Sequence, residues 1–211
     1  MNISATKVLD HPLAYEQLIL MRDEATQPAE FRAACKKLTE YVFYEALANA
    51  ALETRTVQTP LTETEAPVMA EPDPVVIGIW RAGQIMVEAA TDLLPKCSVK
   101  HLGVFRDEST HQPEFYYENL DDSILNRTIF VVDPMLATGG SAKFAMELLL
   151  QKGVDPTNIN LLCLIASPEG VKTINEFDNR IKMILGAVDE KLNENAYIVP
   201  GLGDAGDRIN N

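Results

Sequence analysis

Apolar residues at Phe31, Ala34, Cys35, Leu38, Tyr41, Val42 and Ala46 recur at the i, i+3, i+4, i+7 spacing of one helix face. With Pro28 in the first turn, the stripe predicts an amphipathic helix over residues 28–52, its apolar face serving as core or subunit contact. Residues 54–70 are threonine-rich and predict a strand or extended connection, closed by the punctuation Glu71-Pro72-Asp73-Pro74. Beyond it, short apolar runs alternate with helical stripes. Strands are predicted at 75–79, 99–105, 115–119, 129–132, 159–165 and 181–187, and helices at 84–94, 142–152 and 170–177. Ser167 and Pro168 supply an N-cap and an N1 proline for the last helix. The alternation predicts an α/β fold, a mostly parallel sheet with helices on both faces, whose strands end at one rim. In such sheets that rim is where ligands bind.

One junction carries more chemistry than the rest. The buried run Ile129-Phe130-Val131-Val132 ends in Asp133, and Pro134-Met135-Leu136-Ala137-Thr138-Gly139-Gly140-Ser141 leads into the next helix. Free N–H groups and the positive end of the helix dipole converge there, as a phosphate requires. Gly139 and Gly140 admit positive φ and close approach of backbone to ligand, and Thr138 and Ser141 add hydroxyl donors. Asp133, at the strand's carboxyl end, is placed to accept hydrogen bonds from ribose hydroxyls. The spacing matches neither G-x-G-x-x-G nor G-x-x-x-x-G-K-[ST]. A βα turn without a ligand has similar residues, so the junction alone leaves both readings open.

Composition narrows the partners. The 211 residues carry 46% hydrophobic side chains, enough for one α/β domain, and a net charge of -13. That charge opposes nucleic acid and anionic membrane as main partners, since both reward clustered Lys and Arg. Cys35, Cys97 and Cys163 are odd in number and form no C-x-x-C pair, and His11, His101 and His111 lack ligand spacing. The first ten residues have no signal-like apolar core, and the longest apolar run, 161–166, is far too short to span a bilayer. A cytoplasmic location is expected.

The segment from Val132 to Ser141 resembles the phosphoribosyl pyrophosphate (PRPP) loop of the type I phosphoribosyltransferases, in the single-acid form found in uracil phosphoribosyltransferases. Tyr197-Ile198-Val199-Pro200-Gly201-Leu202-Gly203-Asp204-Ala205-Gly206-Asp207-Arg208 is similar to that family's uracil-binding tail. Asp10-His11-Pro12-Leu13, Arg81-Ala82-Gly83, Arg106-Asp107 and Ala166-Ser167-Pro168-Glu169-Gly170-Val171 extend the resemblance over nearly the whole chain.

The resemblance implies one phosphoribosyltransferase domain over 1–211, with a helical N-terminal part at 1–53 and the tail at 188–211. It implies transfer of the 5-phosphoribosyl group from PRPP to N1 of uracil, giving UMP and pyrophosphate. Arg81 and Arg106 would hold pyrophosphate, Asp133 the ribose, and Ala137, Thr138, Gly139, Gly140 and Ser141 the 5′-phosphate, with Pro134, Met135 and Leu136 also in the PRPP-binding set. The main chain of Ile198, Gly203 and Ala205 would read uracil, with Asp204 on the PRPP side. Arg81, Arg106, Asp133 and Asp204 thus form the implied catalytic set. Mg²⁺ would be held mainly by the substrate, with Asp204 reaching it through water, so no protein metal cage is expected. The family also suggests a homodimer or homotetramer, with the N-terminal helices as contact, and GTP as an effector in some relatives. Residues 107–114 would form a flap, with Gln112 where some relatives carry Lys. Gly78-Ile79-Trp80 stands where relatives usually have Pro, an aliphatic residue and Leu. A PRPP- or nucleotide-sensing regulator on the same scaffold, or an enzyme for another base, stays open at this point.

Overall fold

Continuous apolar strands need cover on both faces, and the period-2 alternation of side chains shows how they receive it. In the computed structural model, which describes residues 6–70, 72–106 and 113–210 with the side chains of 105, 106 and 113–115 outside that description, all eight residues of the central strand 159–166 are buried. Its Leu162 and Leu164 enter one core with Phe130, Val132, Val76 and Ile184. Leu161 and Cys163 enter a second core with Ile129, Val131, Ile77 and Met183.

In chain order the elements are β1 (Thr6–Val8), α1 (Pro12–Arg22), α2 (Pro28–Ala46), β2 (Leu52–Gln58), β3 (Glu63–Met69), β4 (Val75–Trp80), α3 (Gln84–Leu93), β5 (Ser98–Arg106), β6 (Pro113–Glu118), β7 (Ile129–Val132), β8 (Met135–Leu136), α4 (Gly140–Gln151), β9 (Ile159–Ala166), α5 (Pro168–Phe177), β10 (Lys182–Val188), β11 (Lys191–Leu192), β12 (Ile198–Val199) and α6 (Ala205–Asn210). The main sheet runs β1-β10-β9-β7-β4-β5-β6, with β8 also pairing β9. Only β6 is antiparallel to its neighbour. Helices α1, α2 and α3 cover the first core, and α4 and α5 the second. Phe43 of α2 meets Phe130 of β7 edge-on, 5.1 Å between ring centroids.

The N-terminal part differs from expectation in three ways. α2 stops at Ala46 rather than continuing to 52, because the apolar period ends there and Leu52 begins an exposed strand. The 54–70 stretch is an antiparallel hairpin, β2 with β3, standing apart from the main sheet. Residues 6–8 form an edge strand on β10, so the part over 1–53 is not wholly helical. A three-residue strand has too little period to be seen in the sequence.

Candidate active site

The parallel strands β4, β7, β9 and β10 end at one rim. β4 and β7 are paired side by side, with Gly78 opposite Val132, so the turn carrying Arg81 and the acid Asp133 lie on neighbouring strand ends. Asp133 continues the ladder through its N–H, which donates to Leu162 O at 3.2 Å. Its carboxylate accepts only a long bond from Met135 N, 3.5 Å, and burial pushes its pKa up to about 7.

The loop behind Asp133 is pinned from outside. Pro134 O accepts from both Leu164 N and Ile165 N at 3.1 Å. Ser167 Oγ donates to Ala137 O at 2.5 Å while accepting from Gly170 N, so the predicted N-cap of α5 also fixes the loop. Thr173 Oγ1 donates to Thr138 O at 2.9 Å. These bonds take the loop carbonyls and leave its amides: among the described residues, the N–H groups of Thr138 and Gly139 have no partner. Gly139 sits at φ 83°, where a Cβ would also meet Thr173 Cβ at 2.9 Å. Gly140, expected to share that freedom, instead opens α4, two residues before the predicted start. The outcome is a pair of unpartnered amides, Thr138 and Gly139, at the N-terminus of a 12-residue helix, with Gly140 N donating to Thr138 Oγ1 at 3.4 Å. Thr173 was invisible in the sequence, since nothing in its helical stripe marks it as a loop anchor.

Arg81 follows a cis Trp80–Arg81 peptide and is exposed, without an ion pair among the described residues. Arg106 is the last residue of β5, the strand beside β4, but its side chain lies outside the described residues. Of the flap expected at 107–114, residues 107–112, Gln112 included, lie outside the described residues, while Pro113 and Glu114 already belong to β6, paired antiparallel with β5.

On the other side of β9, Asp189 N donates to Ala166 O at 2.8 Å and starts the tail. β11 and β12 form a short hairpin, and the tail then turns through a cis Val199–Pro200 bond and Gly201 at φ 65°, where a Cβ would fall 2.0 Å from Ile198 O. A buried clamp holds this turn. Arg22 of α1 grips both oxygens of Asp189, at 2.8 and 2.5 Å, and donates to Gly201 O at 2.8 Å, while Gly201 N donates to Asp189 Oδ2 at 2.8 Å. Arg208 donates to Met21 O, Leu202 O and Asp23 O and lies over the Phe31 ring, 4.3 Å from its centroid. Ile198, Leu202 and Ala205 enter the first core. Gly203 and Asp204 are exposed; Asp204 Oδ1 accepts from Asp207 N at 2.9 Å, capping α6. Arg22 and Asp189 were missed in the sequence because they lie 167 positions apart.

The described residues hold no group of three or more His, Cys, Asp or Glu side chains arranged for a metal ion. No helix among them is long and apolar enough to cross a membrane. His11 serves as the N-cap of α1, its side chain accepting from Leu13 N at 3.1 Å.

Comparison with known proteins adds to this geometry. The family model described as uracil phosphoribosyltransferase matches residues 8–211. A uracil phosphoribosyltransferase of Corynebacterium diphtheriae is 43% identical over 203 residues, 96% of this chain and 95% of that protein. One from Limosilactobacillus fermentum is 41% identical over 96% of each chain. Among solved structures, the AQ2163 protein of Aquifex aeolicus superposes with a TM-score of 0.90 at 34% identity, covering 97% of both chains. An adenine phosphoribosyl transferase from Trypanosoma brucei shares the fold at TM-score 0.57 and 11% identity, over 96% of this chain and 89% of that one.

Proposed function

Since the chain belongs to the uracil phosphoribosyltransferase family, we propose that its rim performs that family's reaction: the bond from C1 of PRPP to pyrophosphate breaks, a bond from C1 to N1 of uracil forms, and N1 gives up its proton, yielding UMP and pyrophosphate. The observation that carries the reading is the placement of an amide-lined loop behind Asp133 on one side of β9 and a packed, glycine-turned tail on the other. Phosphate and base are then held at the two ends of one ribose.

Positive charge develops on the ribose as pyrophosphate departs, so the residues' task is positioning and electrostatics. Loop residues 137–141 anchor the 5′-phosphate through N–H and hydroxyl groups, and Asp133 orients the ribose hydroxyls. Arg81 and Arg106 hold the pyrophosphate, each able to present two parallel N–H donors. The main chain of Ile198, Gly203 and Ala205 reads uracil, rejecting cytosine because its amino group would leave site donors unpaired. Asp204, exposed at the start of α6, serves the PRPP side. When bound, Mg²⁺ neutralises charge on the departing pyrophosphate, and the exposed Asp204 carboxylate fits an ion that keeps most of its waters and binds mainly through substrate oxygens.

A homodimer or homotetramer is supported by the exposed hairpin, where Leu61 is 94% exposed at the tip, and by exposed Tyr15 and Ile19 on α1. A cytoplasmic location suits the three unpaired cysteines. GTP is the effector to test, by its addition to the assay. The family match over 8–211 disfavours a sensing regulator.

The test is UMP formation from PRPP and uracil with Mg²⁺, beside cytosine, hypoxanthine and orotate. Uracil-selective turnover that EDTA abolishes is the expected result. Turnover of another base in preference overturns the base assignment, and PRPP binding without any turnover overturns the enzyme reading.

A further inference from the structure

The turn that presents Arg81 is bracketed by one aromatic side chain. Trp80, the chain's single tryptophan, is the last residue of β4, and Gln84 is the first of α3. The indole Nε1–H donates to Gln84 Oε1 at 3.2 Å, closing the turn from strand end to helix start. The same ring lies 4.7 Å from His101 of β5, centroid to centroid, and 5.3 Å from Tyr117 of β6, nearly parallel to it at 10°. Three elements are therefore tied to the residue that precedes Arg81.

The neighbouring residues make room for this. Gly78 shares Trp80's sheet face by the two-residue period, and a Cβ there would meet Val87 Cγ2 of α3 at 2.6 Å, so α3 packs directly on the bare backbone. Trp80 is opposite Gly103 in register, and Gly103 is opposite Tyr117; a Cβ at Gly103 would meet the Tyr116 ring at 2.6 Å, so glycine lets β6 pack its aromatic residues directly on β5 beside the indole. His101 sits opposite Gly78. Its Nδ1 is buried without a hydrogen-bond partner, and burial lowers the imidazole pKa, keeping it a neutral ring for stacking. Ala82 and Gly83 between Trp80 and α3 bring almost no side-chain packing of their own, leaving Gly83 N to Ile79 O at 2.9 Å and Gln84 N to Arg81 O at 3.1 Å as the turn's own bonds.

We propose that Trp80 is a positioning residue for the pyrophosphate-binding turn: its stack on Tyr117 and its bond to Gln84 fix the backbone from which Arg81 reaches the substrate. This rests on the phosphoribosyltransferase reading of the rim. Because the tryptophan is single, its emission reports on this one turn.

The first experiment titrates the full-length protein with pyrophosphate in the presence of Mg²⁺ and follows tryptophan emission; a saturable change is expected. In steady-state assays, Trp80→Leu should raise the KM for PRPP about tenfold while the KM for uracil stays within about twofold, because this turn follows β4 and the tail follows β10, with β7 and β9 between them in the sheet. Trp80→Phe keeps a ring on Tyr117 but loses the Nε1 bond, and Gln84→Ala loses that bond alone, so both should recover most of the PRPP affinity lost in Trp80→Leu. If Trp80→Leu does not fold, Trp80→Phe and Gln84→Ala carry the comparison by a small selective rise in the PRPP KM. Uracil turnover with emission unmoved by pyrophosphate that calorimetry shows to bind, or with both KM values raised equally, overturns the Trp80 role while leaving the enzyme reading intact. Absence of turnover in the wild-type protein overturns that reading and this inference with it.

Discussion

The Asp133 loop and the C-terminal tail, to which we assign phosphate and base, flank the same strand, yet they are held in place by different means. The loop's shape comes from its own junction and from α5, the helix after the neighbouring strand: Asp133 closes β7, Gly139 supplies the positive φ, and Ser167 and Thr173 take its carbonyls some 30 to 35 positions away. The tail is held by groups at the opposite end of the chain, Arg22 for Asp189 and Gly201, and Arg208 for the carbonyls of Met21 and Asp23. Anion binding needs only amides at a helix start, which a short stretch of chain can build. Reading a flat base edge needs a backbone loop held rigid in three dimensions, and a chain end becomes rigid only when tied to something distant.

Substitutions should separate the two. Asp133→Asn removes the ribose acceptor and should lower kcat/KM by roughly a hundredfold or more, with the fold intact by circular dichroism. An unchanged rate would remove Asp133 from the reaction.

Arg22→Ala strands the Asp189 carboxylate, whose side chain is 3% exposed. Loss of one partner of such a pair costs about 3 kcal/mol, read as a fall in Tm, and should raise the KM for uracil more than that for PRPP. Removing the acid as well, in the Arg22→Ala/Asp189→Ala double variant, should recover part of the Tm, since no buried charge is then left unpaired.

Gly139→Ala acts on the opposite side. Forcing a Cβ into φ 83° against Thr173 should cost about 1–2 kcal/mol and raise the KM for PRPP with that for uracil unmoved. If the two KM values move together in either variant, the loop and tail are one unit rather than two.

Protonation of Asp133 sharpens the comparison further. Its folded pKa of about 7 lies above the ordinary 3.8, so the folded state binds this proton more tightly than the unfolded chain. The resulting stability is present below the ordinary pKa and lost as pH rises through 7. Asp133→Asn should therefore gain Tm relative to wild type between pH 5 and pH 8. An identical pH dependence in the two proteins would show that this carboxyl does not titrate in that range.

The smallest expected effect is Thr173→Ala, which frees Thr138 O at a cost of about 1 kcal/mol and should raise only the KM for PRPP, by a few fold. A change in the uracil KM instead would place Thr173 in contact with the tail.

Much of the main sheet was legible because buried strands and amphipathic helices carry their period in the chain itself. The 129–132 strand has the predicted bounds, and the β9, α3 and α5 bounds agree to within one or two residues. The 28–52 helix overran because hydrophobic spacing says where a helix can bury a face, not where solvent and a departing strand end it. The Asp133 loop could be read for the same reason: strand, acid, small residues and helix follow in order, and backbone amides need no distant partner to face a phosphate.

The alternating architecture, the order of strand, acid, glycines and helix at the Asp133 junction, and the resemblance that places the chain in its family were all written in the order of residues. Tertiary structure alone decided that Thr173 and Ser167 lock the loop carbonyls, that the 54–70 stretch is a free-standing hairpin, and that Arg22 and Asp189 clamp the tail. Local periodicity and capping act over a few residues and leave a mark in the order of the chain. A hydrogen bond between residues 167 positions apart leaves none, because it exists only after the sheet has brought their backbones together.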